Sequence, residues 1–304
     1  MKKGINRIIY ITAIIVTVVL VINFMKASQN GELDKEDQMV AYDDLLDQTL
    51  HHLNEYPYIQ ADANEVNLYQ HRSGQFSLSS LNRQNSTTVK THEKTDEDLE
   101  EYYDLEESYR LDDQIEGEIG KNKSLQTMAF IQTNEQDQAY QMEVTTLDIT
   151  KLADLKAALN KLDIEDENYE AADLEALFNV TFSNMDVPNL NTLKEDLNLR
   201  LDAFSPYYYD DYASFSISFT LKKFFHKMGV YLTIYPQSIP IDEKGDLKET
   251  PDGKKVWVEK DKLTSYKWEG DHYNYKIEIE GFFYINTEND IFKIIDQTNT
   301  PFKK

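Results

Sequence analysis

Chemistry in this 304-residue chain would have to come from carboxylates, imidazoles, hydroxyls or phenols, because the absence of cysteine removes thiolate nucleophiles, disulfides and thiolate metal sites. The six histidines are His51, His52, His71, His92, His226 and His272, and none shows the His-Glu-x-x-His spacing that puts two ligands on one helix face. His51 and His52 adjoin, but neighbouring helical residues point about 100° apart, so surface or interface roles are expected and no metal site is predicted. Asp43-Asp44, Asp112-Asp113 and Asp210-Asp211 could supply an acid and a base. Such a pair works through unequal environments across a cleft, however, and acids at this density single out no pair. The segments 242–246 and 163–167 lack the alternating oxygen ligands and closing glutamate of a calcium loop. Weak divalent-cation binding and no bound cofactor are therefore expected. No Gly-x-Ser-x-Gly elbow, Ser-x-x-Lys pair or glycine-rich phosphate loop occurs, and ten glycines leave few tight backbone devices.

The segment best suited to contact is Ser205-Pro206-Tyr207-Tyr208-Tyr209-Asp210-Asp211-Tyr212. Tyrosine buries a rigid amphipathic ring at little entropic cost, which makes Tyr207, Tyr208, Tyr209, Asp210, Asp211 and Tyr212 the candidate partner surface. The ordinary alternative is that these rings cap the core at a helix-to-strand junction. Tyr266, Trp268, Tyr273 and Tyr275 pose a similar choice between cross-strand pairs and an exposed ledge.

Placement of these residues begins at the amino terminus. From Ile8 to Met25 the chain runs eighteen residues without a charge; at about 1.5 Å per helical residue this covers roughly 27 Å of a hydrocarbon core of about 30 Å. Lys2, Lys3 and Arg7 precede the run, while Glu32, Asp34, Glu36 and Asp37 follow it. That asymmetry predicts residues 1–7 in the cytoplasm, 8–25 as a single-pass signal anchor in the cell membrane, and the remainder extracytoplasmic. A cleaved signal peptide is the rival reading, but a cut after Ala27 would put Met25 where a small residue is usual. Without cysteine there is no thiol for lipid attachment. A net charge of −24 with no cluster of Lys and Arg argues against nucleic acid as a partner and against adhesion to anionic headgroups.

Beyond the anchor, Met39, Tyr42, Leu46, Leu50 and Leu53 recur at helical spacing up to Pro57 and predict a juxtamembrane helix within 26–56. Val66, Leu68, Phe76 and Leu78 suggest short strands. Between Glu93 and Glu118, thirteen acidic residues meet only two basic ones, so 82–123 is expected to be a mobile acidic insert. Residues 128–133 and 140–149 read as a hairpin, 150–162 as a helix and 177–182 as a strand. Leu190, Leu193, Leu197, Leu201 and Phe204 predict a helix over 189–203. Phe215, Ile217, Phe219 and Leu221 alternate with Ser and Thr, and Val230, Leu232 and Ile234 continue the alternation in a second strand. Residues 256–258, 266–268, 273–285 and 291–295 then predict a meander, whose short connections require antiparallel pairing. The expected class is α+β: a transmembrane helix, then antiparallel sheet with a few packed helices in two units, 57–150 and 151–304.

This helix-then-meander order is similar to cone-shaped sheet domains of single-span assembly factors in bacterial conjugation and secretion machines, a resemblance that implies an assembly role. The residues themselves point to a non-catalytic, membrane-anchored interaction or accessory protein that contacts or scaffolds another protein of a bacterial cell envelope. Two other classes stay open. A cell-surface hydrolase using carboxylates or a divalent ion would need a concave pocket with converging, unequally buried acids or histidines. A sensory regulator would have to signal to a membrane partner through the span.

Overall fold

The computed structural model describes residues 41–303 apart from Pro57, Ala61, Asn85, 94–98, 112–114, 133–139, 147–148, 164–167, 210–211, 224–225, Lys262 and 281–286. The expected anchor at 8–25 lies outside these residues, and among the described residues no helix is long and apolar enough to cross a membrane. The chain is α+β and mostly β. In order it forms α1 (Tyr42–Glu55), β1 (Glu65–His71), β2 (Phe76–Asn82), β3 (Thr87–Glu93), α2 (Leu99–Tyr102), β4 (Tyr103–Arg110), β5 (Glu116–Asn122), β6 (Met128–Gln132) and β7 (Tyr140–Thr146). There follow α3 (Leu152–Leu159), α4 (Ala171–Leu177), β8 (Asp186–Pro188), α5 (Leu190–Leu197), β9 (Leu199–Tyr209), β10 (Tyr212–Lys223) and β11 (His226–Pro236). The last elements are β12 (Asp246–Glu249), β13 (Lys255–Lys260), β14 (Thr264–Glu269), β15 (Tyr273–Glu280), α6 (Glu288–Asp296) and β16 (Thr298–Pro301).

Fourteen strands join one antiparallel sheet in the order β12-β13-β14-β15-β11-β10-β9-β1-β2-β3-β7-β6-β5-β4, and β8 pairs with β16 separately. The early and late parts of the chain meet at β1 and β9, where Glu65 faces Tyr209 and His71 faces Ala203. Helices α1, α4, α5 and α6 close one face of the long-stranded half. Leu45, Leu46, Leu193, Ile291 and Ile294 belong there to one core with Phe215, Ile217 and Phe219 of β10. Each such side chain contributes about 1.5–3 kcal/mol on burial. A smaller core holds Val89, Ile119, Phe130, Met142 and Val144 against Leu155 and Leu159 of α3.

Four expectations are corrected. The stretch 82–123, expected as an acidic loop, carries β3, α2, β4 and β5. Tyr109 of β4 lies edge-on to Phe130, and Tyr103 donates to Glu143 Oε1 at 2.8 Å, while Asp104 and Glu106 stay exposed. The acids thus line the solvent side of a strand and need no packing of their own. The leucine stripe over 189–203 splits, because Asn198 takes the left-handed conformation at φ 53° and ends α5. Leu199, Leu201 and Ala203 then alternate inside β9. Residues 291–295, expected as a strand, belong to α6, where Ile291, Phe292, Ile294 and Ile295 make a helical stripe behind Glu288 and Asp290 in the first turn. Residues 177–182 hold the end of α4 and the start of a 3-10 turn over Phe182–Asn184.

Candidate functional site

The outer face of the long-stranded half, opposite the helices, is set by the period-two alternation of β10. Phe215, Ile217, Phe219 and Leu221 point into the core, so Ser214, Ser216, Ser218 and Thr220 point outward. Register extends this face across neighbouring strands. Ser216 lies opposite Thr233 on one side and Ser205 on the other, and Ser218 lies opposite Tyr231. The result is a floor of small hydroxyl-bearing side chains beneath a half-open groove of about 450 Å³, lined among others by Tyr69, His71, Arg200, Asp202, Ser218 and Tyr231.

Two devices shape the groove. The first is a bulge between β9 and β10 at Ser218/Phe219, where one residue of β9 has no partner. That residue is Asp202, turned outward with Arg200. Its carboxylate accepts from Arg200 Nε at 2.9 Å and from Thr220 Oγ1 at 2.5 Å, so both oxygens are occupied and the ion pair is internally neutral. The second is Gly229 in β11. A Cβ there would stand 3.0 Å from Cε2 and Oη of Tyr231, because the Tyr231 ring lies across the glycine. The phenol then donates to Glu280 Oε2 at 2.8 Å, fixing the ring beside the floor. On the other wall Tyr69 stacks on His71 with centroids 6.4 Å apart and planes 20° from parallel. His71 Nδ1 meets the Ser73 hydroxyl at 2.6 Å and accepts from the Ser73 N–H at 3.1 Å.

Both phenols are held in the neutral form. Tyr69 is pushed up from its ordinary value by burial and then by the Asp202 charge. Tyr231 is pushed up first by its hydrogen bond to Glu280 and then by burial. Apart from Thr220, which donates to Asp202, the floor hydroxyls face neutral partners. Ser216 Oγ meets Thr233 Oγ1 at 3.4 Å, and Ser218 donates to the Ala203 carbonyl at 3.5 Å. Such a surface offers two aromatic faces, hydroxyl donors and acceptors and one neutralised ion pair. It is suited to holding a ligand.

The expected partner segment adjoins this groove but is no junction loop. Tyr207, Tyr208 and Tyr209 end β9, Tyr212 begins β10 opposite Tyr209, and Asp210 and Asp211 lie outside the described residues. Tyr207 and Tyr209 stack 6.4 Å apart, and the Arg83 guanidinium sits 3.9 Å over the Tyr209 ring while bonding its hydroxyl. Arg83 also pairs with Glu65 at 3.3 Å. Burial, then a hydrogen bond to Glu65, pushes Tyr207 up to about 12. Tyr208 packs against the core instead. The second tyrosine group proves to be interior: Trp268 and Tyr275 are cross-strand partners stacked 5.1 Å apart, and Tyr266 lies edge-on to Phe292.

Among the histidines, His51 pairs with Glu55 at 3.6 Å, while His52 turns aside to Gln70 Oε1 at 2.9 Å, as their angular separation requires. Among the described residues no three His, Asp or Glu side chains form a group able to hold a metal ion. Sequence reasoning missed Tyr69, Arg200, Asp202 and Tyr231. The serine alternation of β10 marked the outer face, but which rings border it depends on the β1–β9 and β10–β11 registers. No protein-family model, curated protein or solved structure matches the chain.

Proposed function

We propose that this chain is a membrane-anchored interaction protein of a bacterial cell envelope, with its sheet outside the membrane and its outer sheet face, centred on the Tyr69–Tyr231 groove, meeting another envelope component. The observation that carries this reading is the exposure of those rings. Tyr69 and Tyr231 are 37% and 40% exposed over a floor of small hydroxyls, in the middle of a sheet whose opposite face is closed by helices. Stability alone favours burying an aromatic ring, whereas contact surfaces are enriched in tyrosines held rigid and left accessible. Holding rather than transforming a partner is supported by Asp202, whose two oxygens are engaged by Arg200 and Thr220. The anchoring part of the proposal is supported by the uncharged run 8–25 and by Lys2, Lys3 and Arg7 ahead of it.

A photo-crosslinking amino acid in place of Asn67, exposed on the outward side of β1 beside Tyr69, introduced in intact cells, tests the contact. The control carries it at Asp47 on the exposed side of α1. A discrete adduct from position 67 alone is expected; no adduct, or equal adducts from both positions, contradicts the proposal. Protease added to intact spheroplasts tests location, and survival of the carboxyl end until lysis would refute an extracytoplasmic sheet.

A further inference from the structure

We infer that the groove between Tyr69 and Tyr231 binds an uncharged oligosaccharide. The inference rests on the proposal that this face is the contact surface and names the chemical class of what it meets. Three observations converge on that class. First, the groove lies on β1, β9, β10 and β11 in the interior of the sheet, where main-chain donors and acceptors are already used in the ladders. Peptide strands are recognised at sheet edges through free backbone groups, so a peptide laid here would find side chains only. Second, those side chains are hydroxyls and aromatic rings. Ser216 and Ser218, held only by contacts of 3.4 and 3.5 Å, offer paired donors and acceptors, and Thr220 offers an acceptor, which match sugar hydroxyls. The Tyr231 ring, reaching over Gly229, tied to Glu280 and 40% exposed, offers a platform for the C–H face of a pyranose, and Tyr69 offers a second one. Third, charge selects against ionic ligands. Arg200 and Asp202 cancel one another, Glu280 is engaged by Tyr231, and a net charge of −24 disfavours phosphates and carboxylates. The volume of about 450 Å³ falls within the roughly 300–1,000 Å³ of small-molecule sites.

The test is calorimetric titration of the full chain in detergent micelles with chitotriose, maltotriose and mannotriose. At least one should bind, with Tyr231→Ala and Tyr69→Ala each weakening it by about tenfold or more. Tyr69→Phe should bind within about twofold of the parent, because the ring face and not its hydroxyl makes the platform. Ser218→Leu, which fills the floor while leaving both rings in place, should abolish binding with an unchanged near-ultraviolet circular dichroism spectrum. Binding that survives all three disruptive variants overturns the inference, as does the failure of every sugar to bind. If no sugar binds but the crosslink from position 67 still forms, the contact surface stands and its partner is a protein. If both fail, the contact proposal falls as well.

Discussion

The two halves of the sheet use one construction, antiparallel strands with helices on a single face, and differ in what the strands turn outward. In the long half β9, β10 and β11 run eleven, twelve and eleven residues, and their outward positions around the groove are Ser, Thr and Tyr together with the mutually paired Arg200 and Asp202. Their inward positions meet an aromatic cluster in which Phe204 stacks on Phe215 at 5.4 Å and Phe302 meets both edge-on. In the acidic half the strands are five to eight residues long, and edge strand β4 turns Asp104 and Glu106 to solvent. Carboxylates hydrate strongly and repel one another, which keeps a sheet edge from recruiting another strand. Hydroxyls and rings are cheaper to desolvate, so the same architecture yields a shielded edge in one half and a surface fit for contact in the other.

If the halves owe their cohesion to separate cores, mutations should stay on their own side. Phe215→Ala should lower stability by about 3–5 kcal/mol in urea denaturation, because it opens a cavity in the larger core. Phe130→Ala should accelerate amide exchange in β5, β6 and β7 while β9 to β11 keep their protection; equal acceleration in both would show one cooperative unit. Alkaline pH should act on the long half through Tyr266, which burial and then the Glu288 charge push up to about 12. The unfolded chain releases this proton near pH 10 and the folded chain holds it longer. The stabilisation is therefore complete below about pH 10 and declines by up to about 1.4 kcal/mol per pH unit between 10 and 12. Tyr266→Phe should make the overall decline shallower without removing it, measured as the urea midpoint across the range, because burial also raises Tyr42, Tyr207, Tyr235 and Tyr275.

At the groove, Asp202→Ala strips the acceptor from Arg200 and Thr220 and should cost about 1–3 kcal/mol, since hydrogen bonds to a charged group are lost. A change below about 0.5 kcal/mol would mean the bulge is held by its backbone alone. The weakest effect belongs to the acidic half. Arg110 pairs with Glu116 in the open, both side chains more than half exposed. Arg110→Ala should therefore fall within roughly 0–1 kcal/mol of the parent.

Much of the long half was readable from residue order because its signals are local. The Phe215-to-Leu221 alternation and the run from β13 to β15 each show their period within one or two strands, as does the hairpin of β6 and β7 in the acidic half. Other parts depend on information spread through space. Counting charges along 93–118 hid β4 and β5, since a strand with one solvated side tolerates acids at every second position. Four apolar residues between 291 and 295 suit a buried strand as well as a helix, and only packing separates the two. The leucine run across 190–204 kept helical spacing by coincidence until Asn198 broke it. The groove was the least accessible feature. Its walls come from β1 and β11, its acid from a bulge, and the room for its Tyr231 ring from a glycine two residues away.

The contact role of the outer face is tested most directly by hydroxyl-radical footprinting of the protein on intact cells against the purified chain. Three tyrosines of similar exposure report on the two halves: Tyr69 at 37% and Tyr231 at 40% in the groove, and Tyr102 at 44% beside β4. The account predicts that Tyr69 and Tyr231 are protected from oxidation on cells while Tyr102 reacts equally in both samples. Equal oxidation of all three in both samples would contradict it.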